Sequence, residues 1–100
     1  MKFSIVTPVY NGQAHIRETI ESVLSQEGDF EIEYFIMDGG STDATVEIVL
    51  EYASRDKRVS VFSEKDSGMY DAVNKGFFKA TGDVYAYINS DDVYEPGAFA

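Results

Sequence analysis

Short apolar runs alternate regularly with helical stripes along this chain, and that alternation constrains its fold more than any other feature. Phe3–Thr7, Ile32–Met37, Val59–Phe62 and Val84–Ile88 are short runs rich in β-branched or aromatic side chains. Between them the apolar residues recur at helical spacing. Ile16, Ile20, Val23 and Leu24 share one face, with Arg17, Glu18 and Glu21 on the other, and Gly28 ends that helix. Val46, Val49, Leu50 and Ala53 form the stripe of a second helix, preceded by Ser41, Thr42 and Asp43, all good N-cap residues. Ala72, Val73, Phe77 and Ala80 mark a third helix, and Gly82-Asp83 turns the chain into the last strand. Strands one, two and four read as near-continuous apolar runs, a pattern that suits strands covered on both faces. The expectation is an α/β fold: a Rossmann-like parallel sheet with right-handed crossovers and helices on both faces.

One hundred residues make one domain at most, with a modest core. A formal charge of −10 argues against nonspecific binding of nucleic acid or an anionic membrane. A polyanionic ligand would need a cation to help it. The chain has no cysteine, which removes disulfides and thiolate metal sites and suits a reducing cytosol. No apolar run approaches the ~20 residues that span a bilayer. Tyr94 to Ala100 reads as a turn and then the first turn of a helix, with Pro96 near its start. Residues 1–100 are therefore expected to be part of a larger domain, truncated at the C-terminus.

In an open parallel sheet, ligands bind beyond the carboxyl ends of the strands. The segments at those ends are Thr7-Pro8-Val9-Tyr10-Asn11-Gly12, Asp38-Gly39-Gly40-Ser41-Thr42-Asp43, Ser63-Glu64-Lys65-Asp66-Ser67-Gly68 and Asn89-Ser90-Asp91-Asp92. All four are polar, and together they predict a pocket on one rim. Adjacent carboxylates such as Asp91 and Asp92 oppose each other's ionisation unless a positive charge lies beside them. A divalent cation with oxygen preference is the usual partner, and would bridge phosphate oxygens. The plainer alternative is a solvated Asp turn. Asp38 offers a carboxylate where glycines allow close approach, although the same segment is also an ordinary β–α turn with a helix cap. Tyr10 offers a face for stacking and Asn11 a paired donor and acceptor, unless Tyr10 covers the core. Asp71, Asn74 and Lys75 share a turn of the third helix and could face the pocket. Lys65 and Lys75 are candidates to meet phosphate charge, with a solvated helix lysine the plainer reading of Lys75. His15 reads as a surface residue, and no Ser-His-Asp or Cys-His set can be assembled. Neither GxGxxG nor GxxxxGK[ST] is present.

Five ordered motifs carry a resemblance. They are Thr7-Pro8-x-Tyr10-Asn11, Asp38-x-Gly40-Ser41-Thr42-Asp43, Asn74-x-Gly76, Ala80-x-Gly82-Asp83 and Ser90-Asp91-Asp92. In order and spacing, over nearly the whole chain, they resemble the nucleotide-sugar-binding N-terminal portion of family 2 glycosyltransferases of the GT-A fold. The resemblance implies transfer of a sugar from a nucleotide-diphosphate sugar, typically a UDP-sugar, with inversion. It further implies a saccharide or lipid-linked acceptor and a role in bacterial polysaccharide or cell-surface glycan synthesis. It places Thr7, Pro8, Tyr10 and Asn11 at the nucleoside and Asp38 on the base, with the Glu64-Lys65-Asp66 loop closing over it. Asp91 would face the ribose and diphosphate, and Asp92 would bind Mg²⁺ or Mn²⁺. The implied location is the cytoplasm or the inner face of the membrane.

Three positions depart from the pattern. Many members have Asp where Gly39 and Asn89 stand, and Arg where Val73 stands. The general base of such enzymes lies in their C-terminal half, so these residues are expected to bind donor and metal without completing the reaction. The competing readings are a noncatalytic nucleotide- or metal-binding module and a nucleotidyltransferase. The latter would usually carry a basic, Gly-rich loop after strand one, where this chain has Pro8-Val9-Tyr10-Asn11-Gly12-Gln13.

Overall fold

The computed structural model describes residues 1–64, 69–95, 97 and 98, and the side chains of residues 69–72 lie outside that description. Its elements run β1 (Lys2–Val9), α1 (Ile16–Leu24), β2 (Glu31–Asp38), α2 (Thr45–Arg55), β3 (Val59–Ser63), α3 (Met69–Lys79) and β4 (Val84–Tyr87). The four strands form one parallel sheet in the order β3-β2-β1-β4. The alternation of strand and helix in the sequence becomes the expected α/β layering.

Successive side chains on a strand point to opposite faces, and the two faces of this sheet differ. One face carries Ile5, Val9, Ile32, Tyr34, Ile36, Val59 and Ile88, covered by Ile16, Ile20 and Val23 of α1 and Val49 of α2. Ile5, Ile16, Ile20, Ile36 and Val49 are fully buried there. Each such side chain stabilises the fold by about 1.5–3 kcal/mol through burial alone. The other face is thinner: Val6 and Met37 pack with Phe35 and with Phe77 of α3. A Cβ on Gly76 would lie 2.6 Å from Val6 Cγ1, so α3 sits on the sheet through this glycine.

Two sequence expectations change at the edges of this core. Leu50 does not join the α2 stripe. It is 51% exposed, while the adjacent Val49 faces the sheet, because neighbouring helical residues lie about 100° apart. Strand β4 is not covered on both faces. Ala86 and Ile88 turn to the core, whereas Tyr85 and Tyr87 are about half exposed on an edge strand. Phe77 stacks on Tyr85 with ring centroids 5.6 Å apart, and that is partial cover.

The amino ends of β1 and β4 are joined by main-chain and side-chain bonds. Asp83 N donates to the Lys2 carbonyl at 2.7 Å, and Lys2 N donates to Asp83 Oδ2 at 2.9 Å. Gly82 lies so close that a Cβ would stand 2.4 Å from Ser4 Oγ and 2.8 Å from the Lys2 carbonyl. Beside this junction the Glu33 carboxylate accepts from Ser4 Oγ, Thr81 N and Thr81 Oγ1 and pairs with Lys2 Nζ at 2.9 Å. Burial pushes the Glu33 carboxyl up, but the hydrogen bonds from Lys2, Thr81 and Ser4 outweigh it and hold the group at about 2, below its ordinary 4.5. A depressed carboxylate contributes stability above its unfolded value and loses it as pH falls toward the folded value. Stability should therefore fall by on the order of 2–3 kcal/mol from this group between pH 4.5 and about 2. Denaturant titrations at several pH values should show that acid-limb slope in wild type and a shallower one in Glu33→Gln; identical slopes would contradict the assignment.

Candidate functional site

The chain moves outward from β1 to β2 and β3, then returns to the other side of β1 with β4. The reversal makes the carboxyl ends of β1 and β4 a topological switch point, where open α/β sheets bind ligands. The strand ends line up there: Val9 pairs with Asp38, and Asp38 with Ser63.

The loop after β1 is fixed through its own backbone. Asn11 N donates to Ser41 Oγ at 2.8 Å, Gly12 N to Thr45 Oγ1 at 2.9 Å, and Gln13 N to Asp43 Oδ2 at 3.3 Å. Three consecutive amides thus end on side chains at the start of the next β–α unit. The bonds are returned: Asn11 Oδ1 accepts from Thr42 N at 2.8 Å, and Gln13 Oε1 from Ala44 N at 3.0 Å. Asn11 adopts φ +50°, a left-handed conformation that Asn tolerates better than most residues. The bend leaves Tyr10 62% exposed, so its ring does not cover the core. On the other side, a Cβ on Gly12 would lie 3.4 Å from Ser90 Oγ, which places this loop against the turn after β4.

Asp38 is 1% exposed and fully engaged. Its Oδ2 accepts from Gly40 N at 3.0 Å, Ser41 N at 2.9 Å and Ser63 Oγ at 2.8 Å, and its Oδ1 accepts from Ser41 Oγ. Four donors match the roughly four lone-pair positions of a carboxylate. Asp38 therefore ties the end of β3 to the loop after β2, and Ser41 passes that constraint to Asn11. Thr7 is buried beneath the rim, its hydroxyl 2.6 Å from the Tyr34 hydroxyl. Burial pushes the Tyr34 phenol well up, which the bond to Thr7 opposes. Pro8 is buried as well. Of the four residues expected at the nucleoside, Tyr10 and Asn11 reach the surface.

Asp91 and Asp92 are exposed on a turn closed by Asp92 N donating to the Asn89 carbonyl at 3.1 Å. Neither carboxylate has a hydrogen bond or ion pair among the described residues. Asn74 is exposed, and Lys75 pairs with Glu64 at 3.1 Å, joining α3 to the end of β3. Lys65 and Asp66 lie outside the described residues, as does the side chain of Asp71.

The N-cap expectation for α2 needs correction. The helix starts at Thr45, and its cap position, Ala44, makes no side-chain bond. Ser41 and Thr42 instead serve Asp38 and the loop after β1. Asp43 accepts from Thr45 N at 2.9 Å and from Thr45 Oγ1. Sequence reading also passed over Ser63, Gln13 and Thr45, whose roles depend on partners about 25 to 33 residues away.

The rim fits a divalent cation bound together with an anionic ligand. Asp91 and Asp92 are hard oxygen donors with no ion pair among the described residues, and Mg²⁺ sites commonly combine one or two carboxylates with substrate phosphates. No cluster of three or more His, Cys, Asp or Glu suited to a metal occurs among the described residues. Nor are the Asn11, Gly12 and Gln13 amides free to cradle phosphate, as in a glycine-rich anion loop.

The fold is a parallel α/β arrangement with a polar rim at its switch point. The Glycosyl transferase family 2 model matches residues 4–100, and the chain belongs to that family. TuaG of Bacillus subtilis (strain 168), a glycosyltransferase assigned to teichuronic acid biosynthesis, is 38% identical over 93 residues, covering 92% of this chain and 36% of that protein. Staphylococcus aureus TarS 1–349, solved in complex with UDP-GlcNAc, superposes with a TM-score of 0.78 at 31% identity, over 93% of this chain and 27% of that one. A mannosyltransferase from Pyrobaculum calidifontis, in complex with GDP-Man and Mn²⁺, has a TM-score of 0.86 over 95% of this chain and 29% of its own; at 22% identity it shows the shared fold. The structural neighbours are GT-A glycosyltransferases. The chain spans between 13% and 39% of the length of its curated relatives.

If Asp38 holds the rim, Asp38→Asn should loosen it, because an amide cannot accept all four bonds. The expected loss is about 1–3 kcal/mol, read as a fall in Tm of about 4–8 °C per kcal/mol for a domain of this size. An unchanged Tm would contradict that role.

Proposed function

We propose that this chain is the donor-binding portion of an inverting glycosyltransferase that uses a UDP-sugar. The transfer would go to a saccharide or lipid-linked acceptor, in bacterial polysaccharide or cell-surface glycan synthesis. The observation that carries this reading is the pair of exposed carboxylates, Asp91 and Asp92, without partners among the described residues, on the switch-point turn that meets the loop after β1 at Gly12. Family membership and the ligands named for TarS support it.

Tyr10 offers its ring to the base, and Asn11 and Pro8 shape the floor beneath it. Thr7 supports that floor through Tyr34. Asp38 holds the loop that borders the base. For Asp38 to accept a uracil N–H itself, one of its four donors must give way. The Ser63 hydroxyl is the most replaceable, since it can turn to solvent. Lys65 and Asp66 would close over the base, while Asp71, Asn74 and Lys75 would lie toward the diphosphate and sugar. Asp91 would face the ribose and diphosphate, and Asp92 would hold Mg²⁺ or Mn²⁺. Such an ion, when bound, neutralises the leaving nucleoside diphosphate.

The acceptor's hydroxyl must lose a proton, and no residue assigned here takes it. The general base is assigned to sequence after Ala100, so this chain alone should bind donor and transfer no sugar. No helix among the described residues is long and apolar enough to cross a membrane. We place the reaction in the cytoplasm, at or near the inner face of the membrane.

Calorimetric titration of UDP into the chain tests the reading. Binding should require Mn²⁺ or Mg²⁺, because the chain carries a formal charge of −10 and the first-loop amides are occupied. Asp92→Ala should weaken metal-dependent binding at least ~10-fold, the scale expected when a charged metal contact is lost. Metal-independent binding, or full affinity in Asp92→Ala, would contradict the site. Sugar transfer by the pure chain would contradict the placement of the base.

A further inference from the structure

Helix α1 and the residues just past its end bury a polar stripe that neither the core nor the nucleotide reading accounts for. Thr19, Ser22 and Gln26 lie at positions i, i+3 and i+7, and Thr19 is fully buried while Gln26 is 6% exposed. Thr19 Oγ1 lies 2.6 Å from the Asp92 carbonyl and 2.9 Å from the Ser90 carbonyl. Ser22 Oγ accepts from Tyr94 N at 3.0 Å, and Gln26 Nε2 donates to the Glu95 carbonyl at 2.8 Å. All these contacts go to main-chain atoms of residues 90–95. Just before this segment Ile88 N donates to the Val6 carbonyl at 3.0 Å, and along it α1 and Gln26 supply the partners for the main-chain atoms named above.

We propose that Thr19, seconded by Ser22 and Gln26, is the positioning residue that aims the Asp91 and Asp92 carboxylates. The inference rests on the reading of those carboxylates as the metal–diphosphate pair. Its geometry is specific. The Ser90 and Asp92 carbonyls both turn inward to share the single proton of one buried hydroxyl, which holds the 90–91 and 92–93 peptide units on either side of the two aspartates. The helix holds the turn by its backbone, and both exposed carboxylates are without a hydrogen bond or ion pair among the described residues. A site with two protein carboxylates needs them held close to the geometry that a shared cation demands.

Two conservative variants separate the hydroxyl from the packing. Thr19→Val keeps the shape and removes the donor, and Thr19→Ser keeps the donor. Amide hydrogen exchange reads the turn without any ligand, and Mn²⁺ binding in the presence of UDP, followed by electron paramagnetic resonance, reads the site. In Thr19→Val the Asp92 and Tyr94 amides should exchange about 10-fold faster, the size of one lost hydrogen bond, with Ile5 and Val6 unchanged. Mn²⁺ affinity should fall about 10-fold, and Thr19→Ser should restore both to within about threefold. Ser22→Ala, which removes the Tyr94 acceptor from a half-buried site, should speed Tyr94 exchange and supplies a second variant should Thr19→Val fold poorly.

Unchanged exchange in Thr19→Val would overturn the proposal, as would a loosened turn with unchanged Mn²⁺ affinity. Equal losses in Val and Ser would overturn the hydroxyl's role. Wild type that binds no Mn²⁺ with UDP would overturn the metal reading itself. The exchange data would distinguish that failure from a failure of Thr19 to hold the turn.

Discussion

Three successive amides, Asn11, Gly12 and Gln13, donate to Ser41, Thr45 and Asp43, and the rim is built on that exchange. It satisfies polar backbone groups at the end of the central strand, where unpaired groups would be costly. It also spends them. A helix N-terminus whose preceding loop presents free amides can hold a phosphate directly. Here those donors are committed to protein, and the nearby acidic turn adds negative charge. An anionic ligand at this rim would be helped by a cation, and in the proposed reading Asp91 and Asp92, unbonded among the described residues, would hold it.

The same economy organises the rest of the site. Asp38 saturates its carboxylate on loop donors and links the end of β3 to the loop after β2. Thr7 and Tyr34 satisfy each other beneath the rim. The turn after β4 is held by its carbonyls against α1. Side chains that look like ligand contacts by type are in several cases structural. The side chains of Tyr10, Asp91 and Asp92 face outward without a hydrogen bond or ion pair among the described residues.

Much of the fold was legible because its signals are local. Apolar runs and 3.6-residue stripes located all seven elements, with strand ends moving by one or two residues. Leu50 escaped because a stripe read from spacing alone has no means of choosing which side of a wide face meets the sheet. The half-exposed Tyr85 and Tyr87 escaped because composition does not reveal that β4 ends the sheet. Within the site, the rim segments were found by their position after each strand. The roles of Ser41, Thr42 and Ser63 were not, since each depends on a hydrogen-bond partner brought close by sheet register. Thr19 is the extreme case, bonded to carbonyls 71 and 73 residues away through a hydroxyl on a helix face otherwise read as core.

The central claim is that nucleotide and cation meet at the rim between β1 and β4. Nuclear magnetic resonance of the ¹⁵N-labelled chain, with UDP and substoichiometric Mn²⁺, tests this most directly, because paramagnetic broadening falls steeply with distance from the ion. The account predicts that broadening centres on the Asp91 and Asp92 amides, reaches Gly12 and Ser90, and spares Glu33 and Arg58 at the opposite end of the sheet. Broadening centred away from the turn after β4, or spread evenly over the acidic surface, would contradict it.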